Sequence, residues 1–516
     1  MSAKLKHPES EILKPYEPFE LNADGGSSTS NPTKTLRKST DKTDKPAAPE
    51  TLGQNQVSDI IADVLRDSLV WDAISGQWFR RSNVELPFRE QSSITVWQTI
   101  NSEVSRLMPK YSASFVNGVE TFMKAELAAT QWDNTRHEIP VSNGVLDLNT
   151  RMLRKYRAED RFNWQLPYPF DIDATCPLID KTILRMVGGN SELVEFLYAW
   201  LLVVLLGLSN VQAFLELVGS GGTGKSTFLN LLSAVVGDEN TVTTDLNALE
   251  TNKFETAVLY GKRLTIVSDS ARFRGEVPVL KSITGGDRIR LERKNQQQQK
   301  PFVYRGLVTI AANQPLESSD YTSGLQRRRR SLTINYVVSD EEKKPYQDTT
   351  TYPDGFEGAL KAELPGLLNK LLAMDANAAA ELVANPDKAM KAQRLVIELE
   401  TNPLLAWADE CLVSCSSQET RIGDANKQPN EGLYSNYCAY VTGGGRHPIS
   451  ITAFSRNLVD ILHAYDIQTV KTRSAFTFMK GLRLRGSNDE NTPHLITKIL
   501  PTTGEFTTTS KTEGLL

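Results

Sequence analysis

Apolar residues recur along this chain with two different periods, and the change of period divides it into regions. From residue 57 to about 140 they recur at three-to-four spacing, as in Ile100, Val104 and Leu107, which predicts helices. From about 211 to 337, short β-rich apolar runs alternate with helical stretches. The runs that predict strands are residues 213–218, 263–267, 306–312 and 331–335. Strands that alternate with helices predict an α/β domain with a largely parallel sheet.

Polar composition marks the two ends of the chain. Residues 1–55 are rich in Ser, Thr, Lys, Asp and Pro, and such a segment cannot bury enough apolar surface to offset its ordering entropy. We therefore expect a disordered tail at 1–55 and a flexible C-terminus at 501–516. The longest apolar run, residues 196–208, is shorter than the roughly 18 residues that cross a bilayer. It predicts a buried helix.

Composition and charge exclude several classes of protein. The chain has 516 residues, of which 40% are hydrophobic and 23% charged, so it is not disordered throughout. A net charge of −4 excludes a histone-like polycation but leaves room for a local basic groove. Four cysteines exclude a disulfide scaffold and favour a reducing compartment. We expect a cytoplasmic protein with no membrane segment.

The strongest chemical motif is GSGGTGKS at residues 219–226, which fits the phosphate-binding P-loop. It follows the strand predicted at 214–218 and opens a helix predicted at 227–236. Glycines let the backbone wrap around phosphates, Lys225 reaches the β- and γ-phosphates, and the Ser226 hydroxyl ligates Mg²⁺. The residues predicted to bind ATP are Gly219, Ser220, Gly221, Gly222, Thr223, Gly224, Lys225, Ser226 and Thr227.

Two polar residues at the ends of predicted strands are candidates for the rest of this site. Asp269 follows the run 263–267 and is a candidate for the Mg²⁺ shell or for orienting the attacking water, against the alternative of a turn aspartate. Asn313 ends the run 306–312 and can hydrogen-bond the γ-phosphate, against the equally weighted alternative of an Asn-Gln-Pro turn.

A basic stretch follows these motifs. Residues 281–330 contain eleven Lys or Arg against four Asp or Glu, and cations at that density contact phosphates. Phe302 and Tyr304 within it are candidates for stacking on bases. The run of arginines at 327–330 suggests an arginine finger for a neighbouring subunit, although the residues alone favour a plain basic patch at this point.

The ordered set of P-loop, Asp269, KSITGGD at 281–287, Asn313 and the arginine pair at 327–328 resembles superfamily 3 helicases of the phage/plasmid primase–helicase and poxvirus NTPase group. The sequences NGVLDL at 143–148 and ELPGLLN at 363–369 add to the resemblance. It spans about 57–369 well and continues more weakly through 402–485.

The resemblance implies a multi-domain α/β fold. It implies an AAA+-like P-loop NTPase core with a parallel-dominated sheet, preceded by a helical collar domain and followed by a winged-helix-like domain. The implied regions between the two tails are a helical collar at 56–190, the ATPase core at 191–337, a helical lid or linker at 338–400, and a winged-helix-like DNA-binding domain at 401–500.

The resemblance also implies roles for particular residues. Lys225 and Ser226 bind ATP and Mg²⁺, Asp269 is the second acid, Asn313 is the sensor, and Arg328, with Arg327 second, is the arginine finger. The segment 288–300 stands where the family places a hairpin that tracks single-stranded DNA. The residues implied to contact DNA there and in the C-terminal domain are Lys281, Arg288, Arg290, Arg293, Lys294, Lys300, Arg456, Lys471 and Arg473, with Lys480 on the wing.

These expectations combine into an ATP-dependent DNA helicase or translocase that replicates a phage, plasmid or other mobile element. It would form a ring, a hexamer by resemblance, and act on single-stranded and forked DNA in the 3′→5′ direction. A separate primase and other replication proteins are candidate partners. Two departures keep rivals open: Asp269 stands where the family usually has Glu, with Glu276 the next acid, and no primase domain is recognised upstream. The rivals are an ATP-regulated origin-binding initiator without processive unwinding and a P-loop NTPase with a non-DNA target.

Overall fold

The computed structural model describes residues 52–129, 132, 137–268, 273, 275–294, 300–317, 323–348, 350–351, 353–424, 426, 428 and 431–497. The tails predicted at 1–55 and 501–516 therefore lie outside the described residues, apart from 52–55. The helices and strands below belong to one compact unit, Gly53–Leu516.

The region predicted as a helical collar contains strands as well as helices. Its helices are α1 (Gln54–Leu65), α2 (Ser93–Leu107) and α3 (Ala113–Glu126). Its strands are β1 (Leu69–Asp72), β2 (Gln77–Arg80), β3 (Arg89–Gln91), β4 (Ala128–Ala129), β5 (Glu138–Val141), β6 (Gly144–Asp147) and β7 (Leu153–Arg154). They form a sheet of order β3-β2-β1-β4 and a smaller one of order β5-β6-β7. The region is therefore not purely helical, and Trp71 and Trp78 pair with each other across β1 and β2.

The central region confirms the prediction of a parallel sheet flanked by helices. It comprises α4 (Pro177–Met186), α5 (Ser191–Leu206), β8 (Phe214–Val218), α6 (Lys225–Val236), β9 (Thr241–Thr244), α7 (Leu246–Thr251), β10 (Leu264–Ser268), α8 (Pro278–Gly285), β11 (Arg288–Ile289), β12 (Phe302–Val303), β13 (Leu307–Ala312), α9 (Ser323–Gln326) and β14 (Arg329–Thr333). The five long strands follow the order β14-β8-β13-β10-β9, and every neighbouring pair is parallel.

Helix α5 lies at the centre of the core. Every side chain from Phe196 to Leu205 is buried, so the apolar run forms an internal helix as predicted. It packs against α6 and against helices of the following region, and the Trp200 indole donates a hydrogen bond to the Thr309 hydroxyl on β13 at 3.1 Å. Within the described residues, no helix is long and apolar enough to cross a membrane.

Helices continue after the sheet, as the sequence indicates for 340–400. They are α10 (Asp340–Lys343), α11 (Gly355–Ala362), α12 (Leu364–Ala373), α13 (Ala376–Ala384) and α14 (Lys388–Thr401). Their apolar faces, including Leu367, Leu371 and Val383, join the core around α5.

The C-terminal region has its own apolar core around Trp407, Tyr437 and Phe454. Its elements are α15 (Pro403–Cys411), β15 (Leu412–Arg421), α16 (Leu433–Gly443), α17 (Ile451–Ala464), β16 (Val470–Arg473) and β17 (Thr477–Leu484). The three strands form an antiparallel sheet of order β15-β17-β16.

Candidate functional site

The GSGGTGKS motif forms the turn between β8 and α6, in the strand–loop–helix context that its sequence predicts. Gly222 and Gly224 adopt φ values of +82° and +79°. These values favour glycine, because a residue without a Cβ atom adopts positive φ at no steric cost. Gly219 is needed for a different reason: a Cβ there would lie 2.2 Å from the backbone oxygen of Ile334. The loop is therefore shaped by close contact with the chain that leaves β14.

Lys225 lies at the centre of the site. Its Nζ donates hydrogen bonds to the backbone oxygens of Gly219 at 2.6 Å and Ser220 at 2.9 Å. It also donates to Oδ1 of Asn313 at 3.1 Å. The structure therefore brings together the P-loop lysine and the candidate sensor, whose strands β8 and β13 are parallel neighbours that end at the same edge of the sheet.

The outer side of the loop faces open space. A Cβ on Gly221 or Gly222 would meet nothing within 4 Å, whereas the Thr223 hydroxyl is turned inward and donates to the Ser220 carbonyl at 2.9 Å. Ser226 is exposed on the first turn of α6 and Thr227 is half-buried. Because the N-terminus of a 12-residue helix carries partial positive charge, this space suits a phosphate group.

The candidate second acid, Asp269, lies outside the described residues. The strand that leads to it is in place, since Ser268 pairs with Ala311 beside the sensor strand. Glu276, the next acid along the chain, is exposed shortly before α8. Of the candidate Mg²⁺ ligands, the exposed Ser226 hydroxyl fits that role at the helix start.

The four arginines at 327–330 divide into two buried and two accessible residues. Arg329 makes two hydrogen bonds to the buried Glu216 carboxylate, at 2.7 and 2.9 Å. Arg330 donates to the backbone oxygens of Val383 and Arg327, both at 2.7 Å, and burial lowers its pKa to about 10. These two arginines hold the fold, so the positive surface of this segment is smaller than its sequence suggests.

The remaining pair are the finger candidates. Arg327 is exposed and Arg328 is half-buried, with one guanidinium nitrogen donating to the Gly324 carbonyl at 2.7 Å. Arg329 pairs with Phe214 at the start of β8, whereas the P-loop follows the end of β8. The start and the end of β8 are four residue steps apart, a distance of about 13 Å along the strand. That distance exceeds the length of an arginine side chain, so neither candidate lies at its own P-loop.

The segment predicted as a DNA-tracking hairpin, 288–300, begins in β11 and is followed by β12, and these two strands pair with each other. Arg288 pairs with Val303 and Ile289 with Phe302, antiparallel. Arg288, Arg290, Lys294 and Lys300 are exposed. Lys281 is half-buried on α8. Residues 295–299, which include the glutamine run, lie outside the described residues.

One contact ties this hairpin to the N-terminal region, and a second ties Tyr260, whose ring lies against Phe302 of the hairpin, to the same region. Arg293 forms an ion pair with Glu90 of β3 at 2.9 Å. Nearby, the Tyr260 hydroxyl donates to Asp72 of β1 at 2.8 Å. Arg293 therefore has a structural partner that the sequence did not indicate.

The suggestion that Phe302 and Tyr304 stack on bases was wrong. Both side chains are buried, and the Tyr304 hydroxyl is hydrogen-bonded to the Thr265 hydroxyl at 2.7 Å inside the core. Burial raises the pKa of Tyr304 above its ordinary value. The apolar environment that stabilises these rings excludes them from a ligand surface.

Basic residues of the C-terminal region also divide into paired and exposed groups. The half-buried Arg483 binds Asp489 in a salt bridge, and the half-buried Arg485 donates to the carbonyls of Glu410 and Thr492. The candidates Arg456 on α17, Lys471 and Arg473 on β16, and Lys480 on β17 are exposed.

Glu216 is a residue of the site that sequence analysis missed. Its carboxylate accepts from Arg329, from the Ser331 hydroxyl at 2.6 Å and from the backbone N–H of Leu316 at 2.7 Å. Glu216 therefore bonds to Leu316, shortly after Asn313, and to Arg329, directly after the finger candidates Arg327 and Arg328. A single acid within the apolar run 213–218 was the available signal.

Comparisons with known proteins identify two regions of the chain. Residues 58–188 match a family model described as D5 N terminal like, and residues 217–330 match a family of unknown function, DUF5906. The uncharacterized mitochondrial protein ymf20 of Marchantia polymorpha is 27% identical over 130 residues, which are 24% of this chain and 72% of that protein. Protein ymf21 of the same organism is 31% identical over 121 residues, 21% of this chain and 67% of that protein.

Among solved structures, two apo forms of the NrS-1 C-terminal region are similar to this chain. Each is 13% identical and covers 84% of this chain and 100% of its own, with TM-scores of 0.44 and 0.42. The sequence matches show that the chain shares a family with ymf21 and that residues 58–188 form a D5 N-terminal-like region.

Proposed function

We propose that this protein is an ATP-dependent DNA helicase or translocase of the superfamily 3 type, acting in replication of a phage, plasmid or other mobile element. The observation that carries the proposal is the contact of Lys225 Nζ with Asn313 Oδ1 at 3.1 Å, at the shared edge of β8 and β13. A phosphate-binding lysine beside a strand-end amide is the arrangement needed to hold a γ-phosphate and orient water. The parallel strand order supports an AAA+-like core.

Each residue of the site then has a defined task. Backbone N–H groups of 219–224 and Lys225 hold the phosphates of ATP, and Asn313 orients the attacking water. Ser226 and Asp269 would hold Mg²⁺, which neutralises charge developing on the phosphate oxygens. Because Lys225 already bonds two loop carbonyls, it is held close to where the phosphates bind.

A ring, a hexamer by family resemblance, is supported by the position of Arg327 and Arg328. These residues lie at the opposite end of the β8–β14 pair from the P-loop. An arginine finger in this chain must therefore act on the nucleotide of a neighbouring subunit. Residues 56–190 would hold the ring together.

DNA would contact two basic surfaces. The first is the β11–β12 hairpin with Lys281, Arg288, Arg290, Lys294 and Lys300, and Arg293 would contribute if its pairing with Glu90 opens. The second is the C-terminal region, whose order α15-β15-α16-α17-β16-β17 supports a winged helix. There Arg456 would lie on the groove-facing helix and Lys471, Arg473 and Lys480 on the wing. Translocation from 3′ to 5′ rests on the family resemblance.

The first test is ATP turnover with and without single-stranded DNA, for the wild type, Lys225→Ala and the control Lys391→Ala. Lys391 is an exposed lysine on α14. We expect turnover that rises with DNA, is lost in Lys225→Ala and is kept in Lys391→Ala. Turnover indifferent to DNA would refute the motor and favour an NTPase with another target.

A forked duplex separates the motor from its remaining rival. A helicase displaces the strand in the presence of ATP, whereas an origin-binding initiator binds the fork and hydrolyses ATP without displacement. Mixing Lys225→Ala subunits with Arg328→Ala subunits tests the ring. If the finger acts in trans, some mixed interfaces pair an intact P-loop with an intact arginine and restore turnover that neither variant has alone.

A further inference from the structure

The hairpin β16–β17 carries an aromatic side chain at its tip. Arg473 pairs with Thr477, and the turn between them closes with a hydrogen bond from the Ser474 N–H to the Phe476 carbonyl at 3.0 Å. Phe476 is 50% exposed. A phenylalanine ring is normally buried, because removing its apolar surface from water stabilises the fold. The protein therefore presents an aromatic face to solvent at a defined place.

An arginine fixes the position of this ring. The guanidinium carbon of Arg421 lies 3.6 Å from the centroid of the Phe476 ring. Arg421 belongs to β15 and pairs with Phe478 of β17, so the stack joins the end of β15 to the turn that precedes β17. A cation over one face of a ring stabilises its orientation. The remaining exposed surface can stack on another planar group.

The hairpin that carries the ring is basic, with the exposed Glu419 of the neighbouring strand opposite Lys480. Lys471, Arg473 and Lys480 lie on the same hairpin and are exposed. The sequence contains no Asp or Glu from residue 467 to 488. The register of β15 shifts between the pairs Cys415–Gly481 and Glu419–Lys480.

From the ring, its arginine and the surrounding cations, we infer that Phe476 is a base-stacking residue that binds the terminal base pair where duplex DNA meets single strands. This rests on the proposed DNA-binding function and extends it to a residue and a DNA structure. A planar ring flanked by cations matches a base flanked by phosphates. Stacking between internal base pairs would require unstacking them, whereas a junction already exposes a base face. A protruding tip reaches such an end more easily than the interior of a groove.

The test uses the full chain and three DNAs of equal length: a fork, a continuous duplex and a single strand. Binding is measured by fluorescence anisotropy, and 2-aminopurine placed at the junction reports stacking directly. The variants are Phe476→Ala, Phe476→Trp and the control Val470→Ala. Val470 is a matched control because it is an apolar residue on the same hairpin and is 60% exposed. Circular dichroism of each variant checks that the fold is intact.

We expect Phe476→Ala to weaken fork binding by about 5- to 150-fold, the effect of losing one base–aromatic stack, and to abolish the 2-aminopurine signal. Phe476→Trp should restore both, and Val470→Ala should change neither. Equal fork binding by Phe476→Ala and Val470→Ala would overturn the inference while leaving the proposed function intact. A wild type that binds none of the three DNAs would overturn both. Loss of binding to all three DNAs alike in Phe476→Ala would also refute a junction-specific role.

Discussion

The buried pair of Glu216 and Arg329 makes a prediction that can be worked through in numbers. Glu216 is fully buried and Arg329 is 5% exposed. Substitution Glu216→Gln keeps the shape of the side chain but removes the charge that compensates the guanidinium. Leaving one member of a buried pair uncompensated costs about 3–5 kcal/mol. For a unit as large as Gly53–Leu516, whose unfolding entropy is about 1 kcal/mol per K, we expect a fall in melting temperature of roughly 3–5 °C.

The size of the effect follows from the four hydrogen bonds that Glu216 accepts. Two come from Arg329, one from Ser331 and one from the Leu316 N–H. A glutamine retains one acceptor oxygen and places an amide NH₂ where the other oxygen was. That NH₂ would face a donor, so at least one donor would be left buried without a partner.

Urea unfolding followed by circular dichroism measures the loss, and hydrogen exchange of β8 and β14 locates it. The surface substitution Glu381→Gln is the control, and we expect it to change stability by less than about 0.5 kcal/mol. The double variant Glu216→Leu, Arg329→Met should recover part of the loss, because it removes the buried charge together with its partner. A loss below about 1 kcal/mol for Glu216→Gln would refute the reasoning.

Three further predictions concern other parts of the molecule. Gly219→Ala should abolish binding of a fluorescent ATP analogue, because its Cβ would lie 2.2 Å from a backbone oxygen, whereas Gly443→Ala, with open space around it, should bind normally. Hydrogen bonds from Arg483 hold the pKa of Asp489 well below its ordinary value. This pair therefore stabilises the fold above about pH 4, and its contribution is lost as the pH falls through the folded-state pKa. The free energy of unfolding of Asp489→Asn should lack this dependence on pH between about pH 2 and 5. A hydrogen bond from a neighbouring serine lowers the pKa of Cys415, so peptide mapping after brief alkylation at pH 7.5 should find this thiol modified first; equal labelling of all four cysteines would contradict this.

Sequence patterns predicted the parts of the structure that local chemistry determines. The strand–loop–helix of residues 214–236 and the strand that ends before Asn313 follow from short glycine-rich and apolar motifs, and both elements were found in place. The strand β9 was missed because Thr241–Thr244 is a short edge strand with little apolar signal.

Long-range partners could not be predicted in the same way. The pairing of Arg293 with Glu90 joins residues that are 203 positions apart, and the burial of Arg330 depends on carbonyls of α13. Charge counting treated these arginines as surface residues because composition does not distinguish a cation in water from one bonded to backbone oxygens. Side-chain burial in the folded protein makes that distinction.

Helix α5 also has a consequence for the synthesis of the protein. From Phe196 onward it is apolar on all sides, and it leaves the ribosome before the sheet strands and before α13 and α14, both of which it contacts and of which α14 ends at Thr401. At translation rates of about 5–20 residues per second, its apolar surface would stay uncovered for roughly 10–40 s until its last partners have been synthesised. During that interval the nascent chain presents a strong binding site for chaperones. A fragment that begins at the P-loop would lack this helix altogether and would leave the inner face of the core open to water and to aggregation.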